Sequence, residues 1–541
     1  MMLLRFHSAK HNARAALWLA LAVMAPGLVL RLFGVGHQRF DFEFFLICWL
    51  SMFGATFLDK WFLRAYLGLL FVMDCIELHY ISYFGFPMHV FDVGDVVGEI
   101  PEIIEGGLGY IRFAWFVLPV MAACYWAAFR VYARYAPRLR HSRWFVLLYL
   151  AGVLYVPYKT SNHDIVSFFP RATRSSLYNA YNAFSYYVFK GASAPEGIKA
   201  RPYGIVPSPG TRRRNVVLII GESVSRGRMS LYGYGRDTTP GLKKIVGEKG
   251  WRVYDGISAS SATKDSLPML MNAIYEPCNL DQMRGGLTNL FKIAADNGFA
   301  TWFITSQDSK LLDGNSMKYA DNVIEKANRP LVSFSRGDFY IADELGEIDW
   351  SRPNFVVVFT RANHVDYKKR YQFRPEFAKW DDSAGLPRGE FLVNSYDNSM
   401  SYLDAAVSEM VSRIPDGAAV AITADHGELL GEGGLYGHFH TYPATFEVPM
   451  VSNLAVDSSG GISTHYDLAK AVSAALGARI ENENEIKGLK FASGPHIMES
   501  CRKNATARGF GPRPLGTGAC EWGGASAKSG GLCIIKPALV D

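Results

Sequence analysis

Short apolar runs that end in polar side chains constrain the fold of this chain more than any other feature. Residues 216–220 are five consecutive apolar residues, and Glu222 follows them after a single glycine. A run this short and this rich in β-branched residues is typical of a strand buried on both faces. The sequence therefore predicts a buried strand with an acidic side chain just beyond its carboxyl end.

Three later segments repeat this design. They are residues 299–305 followed by Ser306, Gln307 and Asp308; residues 355–360 followed by His364; and residues 418–423 followed by Asp425 and His426. In open α/β sheets, ligands bind beyond the carboxyl ends of the parallel strands. Helical patterns at 287–297, 394–414 and 466–476 alternate with the runs and predict an α/β domain with a mostly parallel sheet.

The N-terminal third has a different character. Five segments are apolar enough to span or nearly span a bilayer: 16–34, 41–58, 62–84, 110–130 and 143–158. Arginines collect before the first segment and between the last two, whereas acids collect at 86–109. By the positive-inside rule, this pattern predicts a bundle of about five transmembrane helices with everything after residue 158 outside the cytoplasm.

Composition agrees with a partly membrane-embedded chain. Charged residues make up 20% and aromatic residues 14% of the sequence, and the net charge of +6 carries no nucleic-acid signature. We predict four regions: a membrane domain at 1–158, a connector partly on the membrane surface at 159–214, a catalytic domain at 215–500, and a loosely ordered tail rich in glycine and proline at 501–541.

The cysteines fall into two groups. Cys48, Cys75 and Cys124 lie in apolar segments, where a small buried side chain is expected. A second group lies in the soluble part: Cys278, Cys501, Cys520 and Cys533. An even number is compatible with two disulfides in an oxidising compartment, and the sequence leaves their pairing open.

The acidic and imidazole side chains at the strand ends predict a metal site. Glu222, Asp425 and His426 are ligands suited to Zn²⁺ or a similar divalent ion. His364, His438 and His440 add imidazoles near the same edge, the last two in a glycine-rich loop.

Thr263 is the candidate nucleophile because it ends a run of small residues and begins a helical pattern. A hydroxyl there is most often a helix cap. The same position favours a phosphate group, because free backbone amides point at it, and a bound cation would activate the hydroxyl. Ser260, Ser261 and Ser266 remain rival nucleophiles.

Residues 221–234 and 238–240 resemble the opening motif of the membrane phosphoethanolamine transferases, which belong to the alkaline phosphatase/sulfatase superfamily and include the lipid A-modifying enzymes. Thr263 with Ser266 and Pro268 is similar to the nucleophile segment of that family, and 424–432 is similar to its second metal motif. The resemblance implies an α/β sulfatase-like domain after the membrane helices, with one or two divalent ions. It implies these ligands: Glu222, Thr263, Asp425 and His426. It also implies substrate contacts from these residues: His364, Lys310, and His438 or His440.

The resemblance implies an inner-membrane enzyme with a periplasmic catalytic domain. It would transfer phosphoethanolamine from phosphatidylethanolamine to an envelope glycolipid such as lipid A, or to another glycan, through phosphorylated Thr263. Two alternatives stay open: a phosphoglycerol transferase of the same superfamily, and a catalytically silent envelope protein that binds lipid or glycan. A hydrolytic sulfatase is disfavoured because the Thr263 segment lacks the Cys/Ser-x-Pro-x-Arg pattern.

Overall fold

The computed structural model describes most of the chain. The described residues are 2–58, 60–90, 92–93, 114–138, 147, 149–151, 153–154, 170–190, 200–208, 215–277, 279–307, 317, 319–325, 328, 330, 335–485, 489–496, 521–522, 525–526 and 532–535. They divide into two compact units, one built mainly before residue 195 and the other mainly after it.

The first unit is helical. Its described helices are α1 (Met2–Arg31), α2 (Phe42–Ala55), α3 (Lys60–Phe84), α4 (Val117–Tyr135) and α5 (Ser176–Lys190). Helix α1 packs against α2 and α4, and α3 packs against α4 and α5. The side chain of Asp41 accepts a hydrogen bond from Phe44 N and thereby caps α2.

The described helices differ in whether they are long and apolar enough to cross a membrane. Among the described residues, the segment Lys10–Arg31 is long and apolar enough to cross a membrane, and the apolar helix Phe42–Ala55 is shorter. Helix α3 matches the third predicted span in position but carries Lys60, Arg64, Asp74 and Glu77. The fourth and fifth predicted spans lie partly outside the described residues, so the count of five stays a prediction.

The second unit is built on strands. They are β1 (Gly204–Pro207), β2 (Asn215–Gly221), β3 (Arg252–Ile257), β4 (Ala300–Thr305), β5 (Asn322–Glu325), β6 (Asn354–Phe359), β7 (Ala419–Ala424), β8 (Leu429–Leu430), β9 (Tyr436–Gly437), β10 (Glu447–Ser452), β11 (Ser463–Thr464), β12 (Ala478–Glu481), β13 (Lys490–Ser493), β14 (Glu521–Trp522), β15 (Ala525–Ser526) and β16 (Leu532–Ile535).

Helices connect many of these strands. They are α6 (Pro240–Lys249), α7 (Thr263–Met271), α8 (Leu280–Gly285), α9 (Leu290–Asp296), α10 (Tyr340–Gly346), α11 (Tyr367–Tyr371), α12 (Arg388–Ser412), α13 (Pro443–Phe446) and α14 (His465–Ala475).

The main sheet has eight strands in the order β11-β3-β10-β7-β2-β6-β4-β5. The strands β7, β2, β6, β4 and β5 run parallel, whereas β10 is antiparallel to both β3 and β7. Every residue of β2, β6 and β7 is buried. The predicted mostly parallel sheet is therefore confirmed, and its central strands are the apolar runs of the sequence.

Register places the carboxyl ends of the central strands side by side. Ile220 of β2 pairs with Phe359 of β6 and with Thr423 of β7. Glu222 and Asp425 therefore leave the sheet at the same level from neighbouring strands. The predicted tail at 501–541 lies mostly outside the described residues, although Leu532–Ile535 pairs in parallel with Lys490–Ser493.

Candidate metal centre

Glu222 enters the site through a sharp turn at the end of β2. Ser223, the next residue, has φ of +54°, a left-handed conformation that reverses the chain immediately after the strand. Ser223 N donates to Asp425 Oδ1 at 2.9 Å, so the turn is tied to the neighbouring strand end. Glu222 itself is buried, and its carboxylate lies at the carboxyl edge of the sheet.

The two carboxylate oxygens of Asp425 have different partners: one accepts from backbone amides and the other faces Thr263. Its Oδ1 accepts hydrogen bonds from Ser223 N at 2.9 Å and from His426 N at 2.8 Å. Its Oδ2 lies 2.7 Å from Thr263 Oγ1. The two backbone amides therefore hold the carboxylate so that Oδ2 faces Thr263.

His426 is held in one tautomer by its own loop. Its Nδ1 lies 2.9 Å from the carbonyl oxygen of Gly427, which can only accept, so Nδ1 carries the proton. The Nε2 lone pair then faces Asp425 Oδ2 at 3.3 Å and Glu222 Oε1 at 3.8 Å. A neutral imidazole with its second nitrogen fixed in this way is the usual form of a metal ligand.

Thr263 is the first residue of α7, and its hydroxyl lies among the three candidate ligands. Thr263 Oγ1 is 2.7 Å from Asp425 Oδ2, 3.1 Å from His426 Nε2 and 3.5 Å from Glu222 Oε1. Ala262 occupies the cap position and forms no side-chain cap hydrogen bond. The Thr263 hydroxyl is therefore directed at the acidic cluster.

The rival hydroxyls occupy different surroundings. Ser260 Oγ donates to Gly494 O at 3.2 Å, and Ser266 Oγ donates to Asp425 O at 2.5 Å. Ser261 Oγ is buried without a hydrogen-bond partner in the described part of the chain. These three serines do not share the contacts that Thr263 makes with the carboxylates.

The electrostatics of the cluster suit a divalent cation. Glu222, Asp425 and His426 can each offer one ligand atom, with these atoms all within 4.8 Å of one another. Burial, and then the nearby charge of Asp425, raises the pKa of Glu222 well above its usual range. Burial lowers the pKa of His426 to about 4, so the imidazole is neutral at physiological pH.

A cation would relieve the repulsion between these buried carboxylates. Among the described residues, neither Glu222 nor Asp425 forms an ion pair with a lysine or arginine. Buried charges are normally paired or bound to a metal, and two carboxylates with one imidazole form a donor set that Zn²⁺ accepts. The residues therefore fit the predicted divalent ion, with Thr263 Oγ1 as a further donor.

Gln307 orients Glu222 from the end of β4. Its Nε2 donates to Glu222 Oε2 at 2.9 Å and to Thr360 O at 3.2 Å. One amide group thus joins the ends of three strands and directs Glu222 Oε1 towards Thr263. The sequence predicted Gln307 only as a polar residue at a strand end.

Replacing Gln307 is expected to weaken metal retention. Gln307→Leu should remove the hydrogen bond that fixes the Glu222 carboxylate and reduce zinc affinity by roughly 10- to 100-fold, as is usual for partners of metal ligands. Competition with a chromogenic chelator measures this affinity. The exposed Gln372 supplies the control Gln372→Leu, and equal affinities for both variants would contradict the role assigned to Gln307.

A second acid–imidazole group lies beside the cluster. His438 Nδ1 is 2.8 Å from Glu428 Oε2, and Tyr367 OH donates to Glu428 Oε1 at 2.6 Å. The rings of His426 and His438 lie 4.1 Å apart between centroids. The backbone N–H of His440 donates to His438 O at 2.6 Å. Of the two predicted loop histidines, His438 therefore has its ring against the candidate ligand His426, with the two rings tilted by 33°.

His364 is the remaining predicted histidine that the structure describes. Its Nδ1 lies 2.6 Å from Val365 O. Burial, and then the nearby guanidinium groups of Arg361 and Arg370, lowers the pKa of His364 well below its usual range. Lys310, the other predicted substrate contact, lies outside the described residues, as do the side chains of the four cysteines predicted for the soluble part.

His465 was missed by the sequence analysis. It is fully buried at the start of α14, where its Nε2 lies 2.9 Å from Ala424 O and its Nδ1 lies 3.2 Å from Ala259 N. The sequence signal for it is weak, because a histidine after the short strand β11 does not by itself indicate a site. Its partners come from segments far away in the chain.

The burial of His465 predicts a pH dependence of folding in metal-free protein. Burial lowers the pKa of His465 to about 4, whereas an unfolded histidine titrates near pH 6.5. Between these values the unfolded chain binds a proton that the folded chain does not, so the free energy of unfolding falls as pH falls. The full contribution is on the order of 3 kcal/mol.

Urea unfolding of the wild type and of His465→Asn across this pH range measures the contribution. The variant lacks the imidazole and should lose less stability on acidification. The titration of Glu222 contributes equally to the pH dependence of both proteins, so it cancels in the difference between them. Parallel stability profiles would show that His465 titrates normally in the folded state.

Comparisons with known proteins show which proteins this architecture resembles. Residues 214–478 match the Sulfatase family model. Over most of the chain, the fold is similar to that of the integral membrane protein lipooligosaccharide phosphoethanolamine transferase A from Neisseria meningitidis. That similarity has a TM-score of 0.56 and 17% identity, and covers 87% of this chain and 95% of the solved chain.

The matched segment 214–478, just under half of the chain, is thus similar to the Sulfatase family. Its curated relatives include the Kdo(2)-lipid A phosphoethanolamine 7''-transferases of Escherichia coli (strain K12) and Salmonella typhimurium. The first is 29% identical over 255 residues, covering 44% of this chain and 43% of the relative. The second is 28% identical over 285 residues, covering 50% and 48%. The chain therefore spans less than half the length of these curated relatives.

Proposed function

We propose that the chain is a metal-dependent transferase that moves phosphoethanolamine from phosphatidylethanolamine to an envelope glycolipid, with Thr263 as the nucleophile. The 2.7 Å contact between Thr263 Oγ1 and Asp425 Oδ2 carries this proposal. The curated relatives are named as lipid A phosphoethanolamine transferases, which supports the transferred group and the acceptor class.

The groups around Thr263 have separate roles in the first half-reaction, which transfers phosphoethanolamine to Thr263. The Thr263 hydroxyl proton is directed at Asp425 Oδ2, so attack of Oγ1 on the donor phosphorus would pass this proton to the acidic cluster. The new bond between Oγ1 and phosphorus would replace the bond from phosphorus to the diacylglycerol oxygen, and diacylglycerol would leave with a proton. The acceptor would then take phosphoethanolamine from Thr263 and restore its hydroxyl. The first turn of α7 presents backbone amides to the transferring phosphoryl group. A divalent ion held by Glu222, Thr263, Asp425 and His426 would supply positive charge that favours the alkoxide of Thr263.

His438 and His364 are the two described histidines to which we assign substrate contacts. His438 Nδ1 donates to Glu428, which also accepts from Tyr367 OH, so the orientation of the His438 ring is fixed. His364 is neutral at physiological pH because of its burial and its arginine neighbours. We assign both to hydrogen bonding with phosphoryl oxygens or leaving groups, and assign Lys310 to the same task from the sequence resemblance.

A lipid donor requires the helical unit to be in a membrane. Besides α1, helix α3 exposes Trp61, Phe62, Leu69 and Val72. Contiguous exposed apolar side chains on a helix are costly in water and are accommodated by lipid. This exposure supports a multi-pass inner-membrane protein with the catalytic domain in the periplasm, in line with the full-length fold similarity.

Reconstitution tests the proposed reaction. Purified full-length protein in vesicles of phosphatidylethanolamine and lipid A should add the mass of phosphoethanolamine to lipid A and release diacylglycerol in equal amounts. Vesicles that contain phosphatidylglycerol as the sole donor should yield no transfer. Addition of phosphoglycerol in the second experiment, or loss of donor without modified lipid A in the first, would contradict the proposal.

A further inference from the structure

His465 joins the two segments that must meet for the proposed chemistry. It begins α14, and Thr464 before it forms a capping box with Asp467, which fixes the position of the histidine backbone. The imidazole is fully buried. On one side it contacts the end of β7, and on the other it contacts the segment that leads into α7.

The hydrogen-bond partners define the tautomer of His465. A backbone amide can only donate, so Ala259 N, at 3.2 Å, requires a lone pair on Nδ1. A carbonyl oxygen can only accept, so Ala424 O, at 2.9 Å, requires a proton on Nε2. Both conditions are met only by the neutral imidazole with its proton on Nε2.

The two residues whose backbone groups His465 contacts lie shortly before Asp425 and Thr263 in the chain. Ala424 immediately precedes Asp425, and Ala259 precedes Thr263 in the loop before α7. Ser266 closes the arrangement, because its Oγ donates to Asp425 O at 2.5 Å and lies 3.3 Å from His465 Nδ1. A displacement of the imidazole would therefore move the nucleophile segment relative to the strand end.

We propose that His465, as the tautomer with its proton on Nε2, is a positioning residue that fixes the distance between Thr263 Oγ1 and the ligand pair Asp425 and His426. The inference rests on the proposed function for its effect on catalysis. His465 touches neither substrate nor metal in the proposed mechanism, so it acts only through the position of Thr263 relative to Asp425 and His426. Misplacing a reacting group by about 1 Å can lower a rate roughly 100-fold.

Two substitutions each remove one of the two hydrogen bonds that the imidazole forms with the backbone. In His465→Asn, the side-chain oxygen lies near the place of Nδ1 and can accept from Ala259 N, whereas the contact with Ala424 O is lost. In His465→Gln, the amide nitrogen reaches the place of Nε2 and can donate to Ala424 O, whereas the acceptor for Ala259 N is lost. His37→Asn, at an exposed histidine, is the control.

Kinetics on the full-length enzyme in vesicles test the proposal. Each His465 variant should reduce kcat and the rate of Thr263 phosphorylation by about 10- to 100-fold. The KM for phosphatidylethanolamine should change little, because no substrate contact is removed, and thermal unfolding gives the folded fraction by which each kcat is corrected. Wild-type kcat in both variants, or a loss of kcat no larger than the unfolded fraction, would overturn the proposal.

The absorption spectrum of the Co²⁺-substituted protein provides a readout that does not depend on transfer. If His465 fixes Thr263 against the ligand pair, both variants should change the d–d bands while retaining stoichiometric Co²⁺, and His37→Asn should leave the bands unchanged. Unchanged bands in both His465 variants would overturn the positioning role. Altered bands without any transfer by the wild type would instead count against the proposed function and leave the positioning role standing.

Discussion

Thr263→Ala is expected to abolish phosphoethanolamine transfer while the protein stays folded. The substitution removes the oxygen that lies 2.7 Å from Asp425 Oδ2 and 3.1 Å from His426 Nε2, and with it the proposed phosphoryl acceptor. Loss of a nucleophile commonly reduces kcat by about 10⁴-fold or more. Intact-mass analysis after incubation with phosphatidylethanolamine should detect an adduct on the wild type and none on the variant.

Two further variants make the nucleophile experiment specific. Thr263→Ser keeps the hydroxyl and should retain part of the activity. Ser261→Ala removes a buried hydroxyl that has no hydrogen-bond partner in the described part of the chain, and should retain most of it. Peptide mapping should place the adduct on Thr263, so an adduct on Ser260, Ser261 or Ser266 would reject the assignment.

The alternative in which Thr263 acts only as a helix cap predicts a different result. Removing a threonine cap costs about 1 kcal/mol of folding stability and leaves catalysis intact. The structure places Ala262 at the cap position and Thr263 one residue into the helix. Thermal unfolding measured beside activity therefore separates the two roles.

The sheet could be predicted from sequence because its central strands are buried on both faces. Each of β2, β6 and β7 is built around an uninterrupted run of apolar residues, and these runs are too short for helices, which need about ten residues or more. The antiparallel β10 could not be placed in the same way. It pairs with both β3 and β7, and this arrangement depends on tertiary contacts rather than on its own residue pattern.

The first ligands of the candidate site were predictable for the same reason. Glu222 and Asp425 follow adjacent parallel strands, and register alone brings them to one level. Glu428, Tyr367 and His465 carry no such signal, because each reaches the site from a loop or helix that a strand pattern does not locate. Supporting residues of this kind are defined by hydrogen bonds across long stretches of chain.

The choice among the hydroxyls depends on three-dimensional contacts. Thr263 and Ser266 are separated by less than one helical turn, and both lie near Asp425. Ser266 reaches the backbone carbonyl of Asp425, whereas Thr263 reaches its carboxylate. Sequence spacing cannot distinguish a contact with the backbone carbonyl oxygen of Asp425 from a contact with its side-chain carboxylate.

Asp425→Asn is expected to abolish metal binding and transfer while making the metal-free protein more stable. Both backbone donors, Ser223 N and His426 N, bind the same oxygen, Oδ1. The asparagine oxygen can therefore keep both hydrogen bonds, and its amide nitrogen can donate to Thr263 Oγ1 in place of the present contact. The fold should lose no hydrogen bond at this position.

The gain in stability comes from neutralising one of two neighbouring buried carboxylates. Burial and the charge of Asp425 raise the pKa of Glu222, in line with a folded metal-free site that disfavours ionisation of both carboxylates. Neutralising Asp425 should therefore raise the free energy of unfolding in chelator by about 1–3 kcal/mol. In zinc-containing buffer the wild type should be the more stable of the two proteins, because zinc binding stabilises its folded state and the variant does not bind zinc.

Asp404→Asn is the matched control. Asp404 is also buried and also accepts from two backbone amides, but Gly241 N binds Oδ2 and Leu242 N binds Oδ1, at 2.7 and 2.8 Å. An asparagine can keep only one of these bonds, so this variant should be less stable than the wild type in chelator and should retain zinc. Urea unfolding with and without chelator, together with metal content, measures both effects. A destabilised Asp425→Asn in chelator would show that Asp425 serves folding, and full zinc occupancy in that variant would remove Asp425 from the proposed ligands.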